Sequence, residues 1–412
     1  MELVFLAIVF AVIIVMLNIK PVIRGQKTRM PLNIAILTGI LASVICYRIS
    51  PARVGIRALE TITSWDTLSL CLVTYMITFL QRMMERNDHL SQAHRSLSAI
   101  FNSRRVNATV APILIGLLPS PAAAFIAGDM VKASCEGYLD DEEMTFVTSY
   151  YRHISESCLP TYSSIILALS LAGLSTAPFL LGMILPVLVL ILLGYLFYVR
   201  KVPKETGLPK SEQPIQEWKK LFQSLWAIAL IVALIIAFDL PVYVAVAISM
   251  VLYFLVNRFK PREVAPYVKS SFEWNIMSNT VVVMFFKNIL DESGVITLLP
   301  EAFAKLPLPL PIVFFLIFLV GSIIAGTSAI IAMCLPLAFA TIPNAGMPLM
   351  ILLMCGTYIA MQVSPVHVCL TLIAQYFRTS LGAIIKKTVP VMLCFIAFLI
   401  PYYYLLTLIP GY

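Results

Sequence analysis

The stretch "VAPILIGLLPSPAAAFIAGDMV" occupies Val110–Val131. It is long and apolar enough for a membrane helix. Yet Pro112, Pro119 and Pro121 sit inside it, beside a cluster of small residues. Backbone exposed to lipid must be hydrogen-bonded internally, so a break at membrane depth is tolerated only inside protein or beside a watery cavity. The segment therefore reads as two half-helices meeting near Pro119–Ala122, a re-entrant hairpin over residues 110–135. An ordinary span kinked by proline is the competing reading.

The rest of the chain supports a membrane setting. Of 412 residues, 60% are hydrophobic and only 12% are charged. Mean hydropathy is +0.92, far above a water-soluble domain. Apolar runs recur at Leu3–Ile19, Pro31–Tyr47, Thr67–Phe79, Met144–Ala172, Ala177–Val199, Phe222–Phe238, Pro241–Val256, Ile276–Leu290, Gly346–Gln375 and Ile384–Leu406. They predict an all-α polytopic membrane protein with about ten transmembrane helices. The first run lacks a basic n-region and a cleavage site, and reads as a retained helix. The net charge of +8 lies in short loops and marks orientation, not nucleic-acid binding. Eight scattered cysteines form no CxxC pair, so neither a disulfide framework nor a zinc site is implied.

A second interrupted segment lies at Pro311–Ile342, where Gly326, Thr327 and Ser328 supply the break. The two interruptions belong to a longer correspondence. "TSWDTLS" (Thr63–Ser69) matches "FEWNIMS" (Phe272–Ser278), "LLPSPAAAF" (Leu117–Phe125) matches "IIAGTSAII" (Ile323–Ile331), and "SCLPTYSSIIL" (Ser157–Leu167) matches "QVSPVHVCLTL" (Gln362–Leu372). The pairings are collinear. They divide the chain into repeats at 1–199 and 221–412, joined by a polar linker at 200–220. Each repeat has three spans, a hairpin, a broken span (144–172; 346–375) and a last span (177–199; 384–406). Five crossings in each half invert the second relative to the first.

Basic loops at 20–30, 82–105, 200–220, 258–269 and 376–388 fall on one side under this arrangement. That side is expected to be cytoplasmic, with both termini outside. One external loop runs against the rule: it holds Arg48, Arg53 and Arg57. The acidic run Asp140–Glu143 is internal, although acidic residues weigh little. The stretches Met84–Arg104 and Ser293–Lys305 read as interfacial amphipathic helices. Trp65–Asp66 and Trp274–Asn275 read as interfacial anchors and helix caps.

Hairpins entering from opposite faces would enclose a chamber near mid-membrane. Half-helix N-termini attract anions, and unwound carbonyls coordinate cations such as sodium. The helices after each hairpin are broken too, at Pro160 and Pro365. The breaks bring Glu156, Ser157, Thr161, Tyr162, Ser364 and His367 toward that depth. Glu156 either binds a cation or proton, or pairs structurally with Arg152. His367 either takes part in binding or is a satisfied buried histidine.

At "LLPSPAAAF", "YYRHISESCLPTYSSIILA" and "SPVHVCL", the chain resembles a prokaryotic membrane family, domain of unknown function 401. Its order of elements also looks like the ion-transporter superfamily of divalent-anion/sodium symporters, citrate and gluconate carriers and TRAP membrane subunits. The resemblance implies an elevator-type carrier in the inner membrane, usually a homodimer, coupled to sodium or protons. Carried over by position, Pro119, Ser120, Pro121, Ala122, Gly326, Thr327 and Ser328 would line the site. The divalent-anion carriers bear Ser-Asn-Thr at both tips, so Pro-Ser-Pro and Gly-Thr-Ser leave the solute open. A small, anionic organic solute is the expected partner, besides membrane lipid, with no nucleic acid and no organic cofactor. A cation/proton antiporter using Glu156 and His367 is the alternative. An intramembrane hydrolase with a Ser328–His367 dyad is a remote third. No Walker A loop is present, so ATP is not the direct energy source. The Ser328 stretch has a counterpart in the first half, which a catalytic centre would not need, and no HExxH signature is present, so an enzyme is not expected.

Overall fold

The computed structural model describes residues 2–19, 22–23, 26–27, 30–117, 121–206, 213–298, 307–342, 344–364 and 367–410. The first half comprises α1 (Glu2–Asn18), α2 (Leu32–Cys46), α3 (Pro51–Thr63), α4 (Trp65–Arg86), α5 (His89–Phe101), α6 (Arg104–Ile115), α7 (Pro121–Cys135), α8 (Asp141–Cys158), α9 (Ser163–Ala172) and α10 (Thr176–Phe197). The second comprises α11 (Pro214–Phe238), α12 (Val242–Asn257), α13 (Pro261–Ser270), α14 (Trp274–Ser293), α15 (Leu310–Ala325), α16 (Thr327–Thr341), α17 (Gly346–Val363), α18 (Val368–Tyr376) and α19 (Leu381–Thr407).

Six of these stretches are long and apolar enough to cross a membrane: Trp65–Arg86, Asp141–Ala172, Thr176–Phe197, Pro214–Phe238, Gly346–Val363 and Leu381–Thr407. The count is lower than the ten read from hydropathy. α1, α2 and α12 are 15 to 17 residues long, about 25 Å at 1.5 Å per residue, short of a typical hydrocarbon core. Leu181, Ile184, Leu185, Leu188, Leu192 and Leu196 form an exposed stripe on α10. In water such a face would be a liability; against acyl chains it is ordinary.

Local chemistry sets the element ends. The Ser50 hydroxyl accepts the Arg53 N–H and Pro51 opens α3. Ser64 does the same for α4 through the Thr67 N–H. Asp140 and Glu143 form a reciprocal capping box at the start of α8. Leu159 and Ser364 hold extended backbone immediately before proline, which ends α8 and α17. Gly326 separates α15 from α16 at φ +92° and ψ 152°, a region in which a Cβ is not tolerated.

Several elements depart from expectation. Residues 51–63 and 261–270 read as parts of charged loops and are the helices α3 and α13. Each is too short and too polar for a span. The segment expected to form the first hairpin opens at Arg104, not Val110, beside the Ser103–Glu205 bridge. The expected helix at 84–104 is cut by Asn87–Asp88, so α4 runs on to Arg86 and α5 begins at His89. In 293–305, a 3-10 turn at Val295–Leu298 lies within the described residues. The linker 200–220 is already helical from Pro214, a favoured first helical residue.

Two of the arginines that opposed the orientation rule are paired, as are acidic residues of the run at 140–143. Arg53 and Arg57 meet Glu292 of α14 at 3.1 and 2.7 Å. Lys201 meets Glu143 at 2.6 Å, and Lys387 meets Asp140 at 2.9 Å.

Packing between helices comes in reciprocal sets. α6 lies on α8 as α15 lies on α17. α10 touches α8 and α17, as α19 touches α17 and α8. α2 and α3 pack on α14, while α12 and α13 pack on α4. Most tellingly, α7 is seated against α18, and α16 against α9. Each hairpin's second arm thus covers the half-helix that follows the break in the other half.

Candidate functional site

Breaking a helix leaves its last carbonyls without intrahelical donors. Side chains from the broken helices supply them here. The Ser155 hydroxyl donates to Ile113 O at 2.6 Å, and the Tyr162 hydroxyl donates to Gly116 O. In the second half, the Ser364 hydroxyl donates to Ile323 O at 2.9 Å. Gln81 adds a donor to Leu117 O at 3.3 Å. The seam is tight: a Cβ on Gly116 would lie 2.1 Å from the Arg152 carbonyl oxygen.

Beside these seams is a cavity of about 620 Å³. Glu156, Gly326, Thr327, Ser328, Asn279 and His367 line its polar part. α16 and α18 begin at this cavity, and neither N-terminus has a side-chain cap. Their first N–H groups and positive dipole ends are thus available to an anion.

Behind the cavity wall lies a buried polar cluster. Arg152 is 2% exposed and His153 is 0% exposed. His153 Nδ1 is 2.5 Å from Ser149 O, and its Nε2 is 2.8 Å from Nε2 of His367. The two rings are edge-to-face, with centroids 4.7 Å apart. Arg152 Nη1 is 3.3 Å from His153 Nε2, and a Glu156 carboxylate oxygen is 3.9 Å from it. The Ser149 hydroxyl donates to Gln362 Oε1 at 3.1 Å. One residue from each broken helix therefore meets the other directly.

His153, His367 and Cys369 offer three donor atoms within 4.8 Å of one another, a spacing a metal ion could bridge. The His153 lone pair that such an ion would need already faces the Arg152 guanidinium and the His367 ring. A cation placed there would meet a fixed positive charge. The cluster is better suited to protons than to metal.

The structure brings together Glu156, Gly326, Thr327, Ser328 and His367 on one cavity. Tyr162 and Ser364 instead hold the hairpins. Ser157 turns back onto Ile154 O at 2.7 Å, inside its own helix. Thr161 is buried with no partner for its hydroxyl among the described residues. Pro119 and Ser120 lie outside the described residues, as do the side chains of Pro121 and Ala122. Sequence reasoning passed over His153, Ser149, Gln362, Asn279 and Cys369, and placed Arg152 only as a partner near the interface. The signal was present in "YYRHISES": arginine and histidine inside a spanning run are costly unless they are used.

These elements define a helical membrane protein with a polar cavity beside its helix breaks. The chain belongs to the family described as Protein of unknown function (DUF401), which matches residues 3–406. No curated protein matches it. In fold it is similar to the YdaH transporter of Alcanivorax borkumensis, at 13% identity and a TM-score of 0.43, over 100% of this chain and 98% of that one.

Proposed function

We propose that the protein is a secondary active transporter of a small anionic organic solute, coupled to sodium or protons. The observation that carries this reading is the cavity on which the uncapped N-termini of α16 and α18 converge, beside Glu156 and His367. Helix ends of this kind hold anionic groups in transporters with discontinuous helices. The reciprocal packing of the halves supports an inverted repeat, with 1–199 and 221–412 related by a pseudo-twofold in the membrane plane. On that reading α6–α7 and α15–α16 are re-entrant hairpins, and they move with the broken helices as an elevator-type transport domain. The basic loops then face the cytoplasm of a prokaryotic inner membrane, both termini face outward, and a homodimer supplies the fixed scaffold. Sodium, if it is the coupling ion, would sit at carbonyls of the hairpin tips.

The test is thermal unfolding of the purified protein with mono-, di- and tricarboxylates, with and without sodium. A ligand that binds only the folded state raises the melting temperature by mass action. One carboxylate class is expected to do so, and Glu156→Gln is expected to keep that response with altered ion dependence. Silence across all acids, together with pH-dependent cation exchange lost in Glu156→Gln, would establish the antiporter instead.

A further inference from the structure

We propose that His153 and His367 form a single proton-binding site, shared between the two broken helices, and that it takes the coupling proton. The inference rests on the transporter reading for its role, but not for its existence. Geometry fixes the resting hydrogens. Ser149 O can only accept, so at 2.5 Å His153 Nδ1 carries a hydrogen. The Ser149 hydroxyl gives its own hydrogen to Gln362 Oε1, which leaves its oxygen free to accept as well. His153 Nε2 is then a lone pair. It accepts from Arg152 Nη1 and from Nε2–H of His367. His367 Nδ1 is then a basic nitrogen with no partner among the described residues, on a residue that lines the cavity.

An incoming proton binds His367 Nδ1. The Nε2 hydrogen of His367 stays directed at the His153 lone pair across the 2.8 Å contact. The charge therefore rests on the His367 imidazolium, at the cavity, and His153 keeps its Nε2 lone pair for His367 and Arg152. Charge and hydrogens balance at each step. A second proton would set two N–H groups against each other at that distance, beside a guanidinium, so the pair holds one.

Among the described residues, α8 sets Arg152 and Glu156 beside the pair, and α18 sets Cys369 there. Tyr162, at the α8–α9 break, faces Glu156 and Arg152. Thr327 and Ser328 of α16 line the same cavity as His367, and the Gln362 amide of α17 meets Ser149. Glu156 stands 3.9 Å from His153 Nε2, placed to balance the imidazolium. Binding a proton therefore tightens a contact between two helices that belong to different halves of the chain. Losing it loosens the same contact.

The experiment is nitrogen NMR of the full-length protein in nanodiscs, with 15N-histidine. The chain has four histidines, so His89→Gln and His94→Gln together leave the pair alone. At neutral pH we expect a nitrogen–nitrogen coupling across the Nε2–Nε2 bond, lost in His367→Gln. Between pH 4 and 9 we expect both rings to shift together with uptake of one proton. Two rings that titrate independently, each to a full imidazolium, would overturn the proposal. So would a thiolate-to-cobalt absorption band on adding Co²⁺ that Cys369→Ser abolishes, since it would make the cluster a metal site. A parallel assay follows radiolabelled carboxylates into proteoliposomes. Uptake driven by a proton gradient without sodium supports the coupling role, and uptake driven only by sodium overturns it. If no carboxylate moves, the transporter reading fails, while the NMR result still decides the proton site.

Discussion

Gly116 and Gly326 each occupy a place no other residue fits, for different reasons. Gly116 has ordinary helical backbone but no room, with the Arg152 carbonyl oxygen 2.1 Å from where a Cβ would be. Gly326 has room, with nothing within 4 Å, but stands at φ +92°. Alanine at 116 must push α6 off α8, an overpacking cost of about 1–3 kcal/mol. Alanine at 326 meets backbone strain of about 1–3 kcal/mol. Both variants should melt several degrees below the wild type in detergent. A melting temperature unchanged in Gly116→Ala would mean that the seam is not closed as described. At this scale the sequence was only partly legible. Prolines and glycines mark breaks wherever they stand, so Gly326, Pro160 and Pro365 could be read directly. His153 could not. Its meaning comes from His367, more than two hundred residues away, and no local pattern encodes that meeting.

The start of α8 joins capping to charge. Asp140 caps the helix through the Glu143 N–H at 2.7 Å and holds Lys387 at 2.9 Å. Burial works against the charged carboxyl, but the Lys387 ammonium and the Glu143 N–H outweigh it and keep Asp140 below the usual carboxylate range. A carboxyl depressed in the folded state stabilises fully above its unfolded value, near 4, and loses that stabilisation as pH falls through the folded value. Asp140→Ala should cost about 1 kcal/mol of cap energy at neutral pH. Asp140→Asn should keep the cap, and its stability should fall less than the wild type's between about pH 5 and 2, followed by thermal melts. An identical acid profile for both proteins would remove Asp140 from the acid response. The element scale also shows where hydropathy misleads. α3 and α13 are short and charged, and a window tuned to spans sees them as loops. Their arginines and glutamates looked like topology signals. Arg57 and Glu292, or Arg86 and Glu263 at 3.2 Å, are in fact bonds between neighbouring helices.

Across the whole molecule, the proposed inverted repeat turns one half upside down about a pseudo-twofold. α3 and α13 are equivalent under it, so they should lie at opposite faces of the membrane. Glu60 on α3 and Arg262 on α13 are exposed. With Cys394 replaced by serine, the other seven cysteines are buried or half-buried. Glu60→Cys should then react with an impermeant maleimide only in intact cells, and Arg262→Cys only in inverted vesicles. Labelling of both from the same side would refute the inversion. The collinear motifs are what suggest a repeat, because breaks recur in the same order. The span count was less so, since an apolar run does not reveal whether its helix reaches 17 residues or 27. The exchanged seating of the hairpin arms carries a last consequence, for biogenesis. When the first half has left the ribosome, α9 has been made and α16, which covers it, has not. α7 likewise waits for α18. A nascent chain that stops short of the second half holds every helix of the first half and still lacks the surfaces that would let it close.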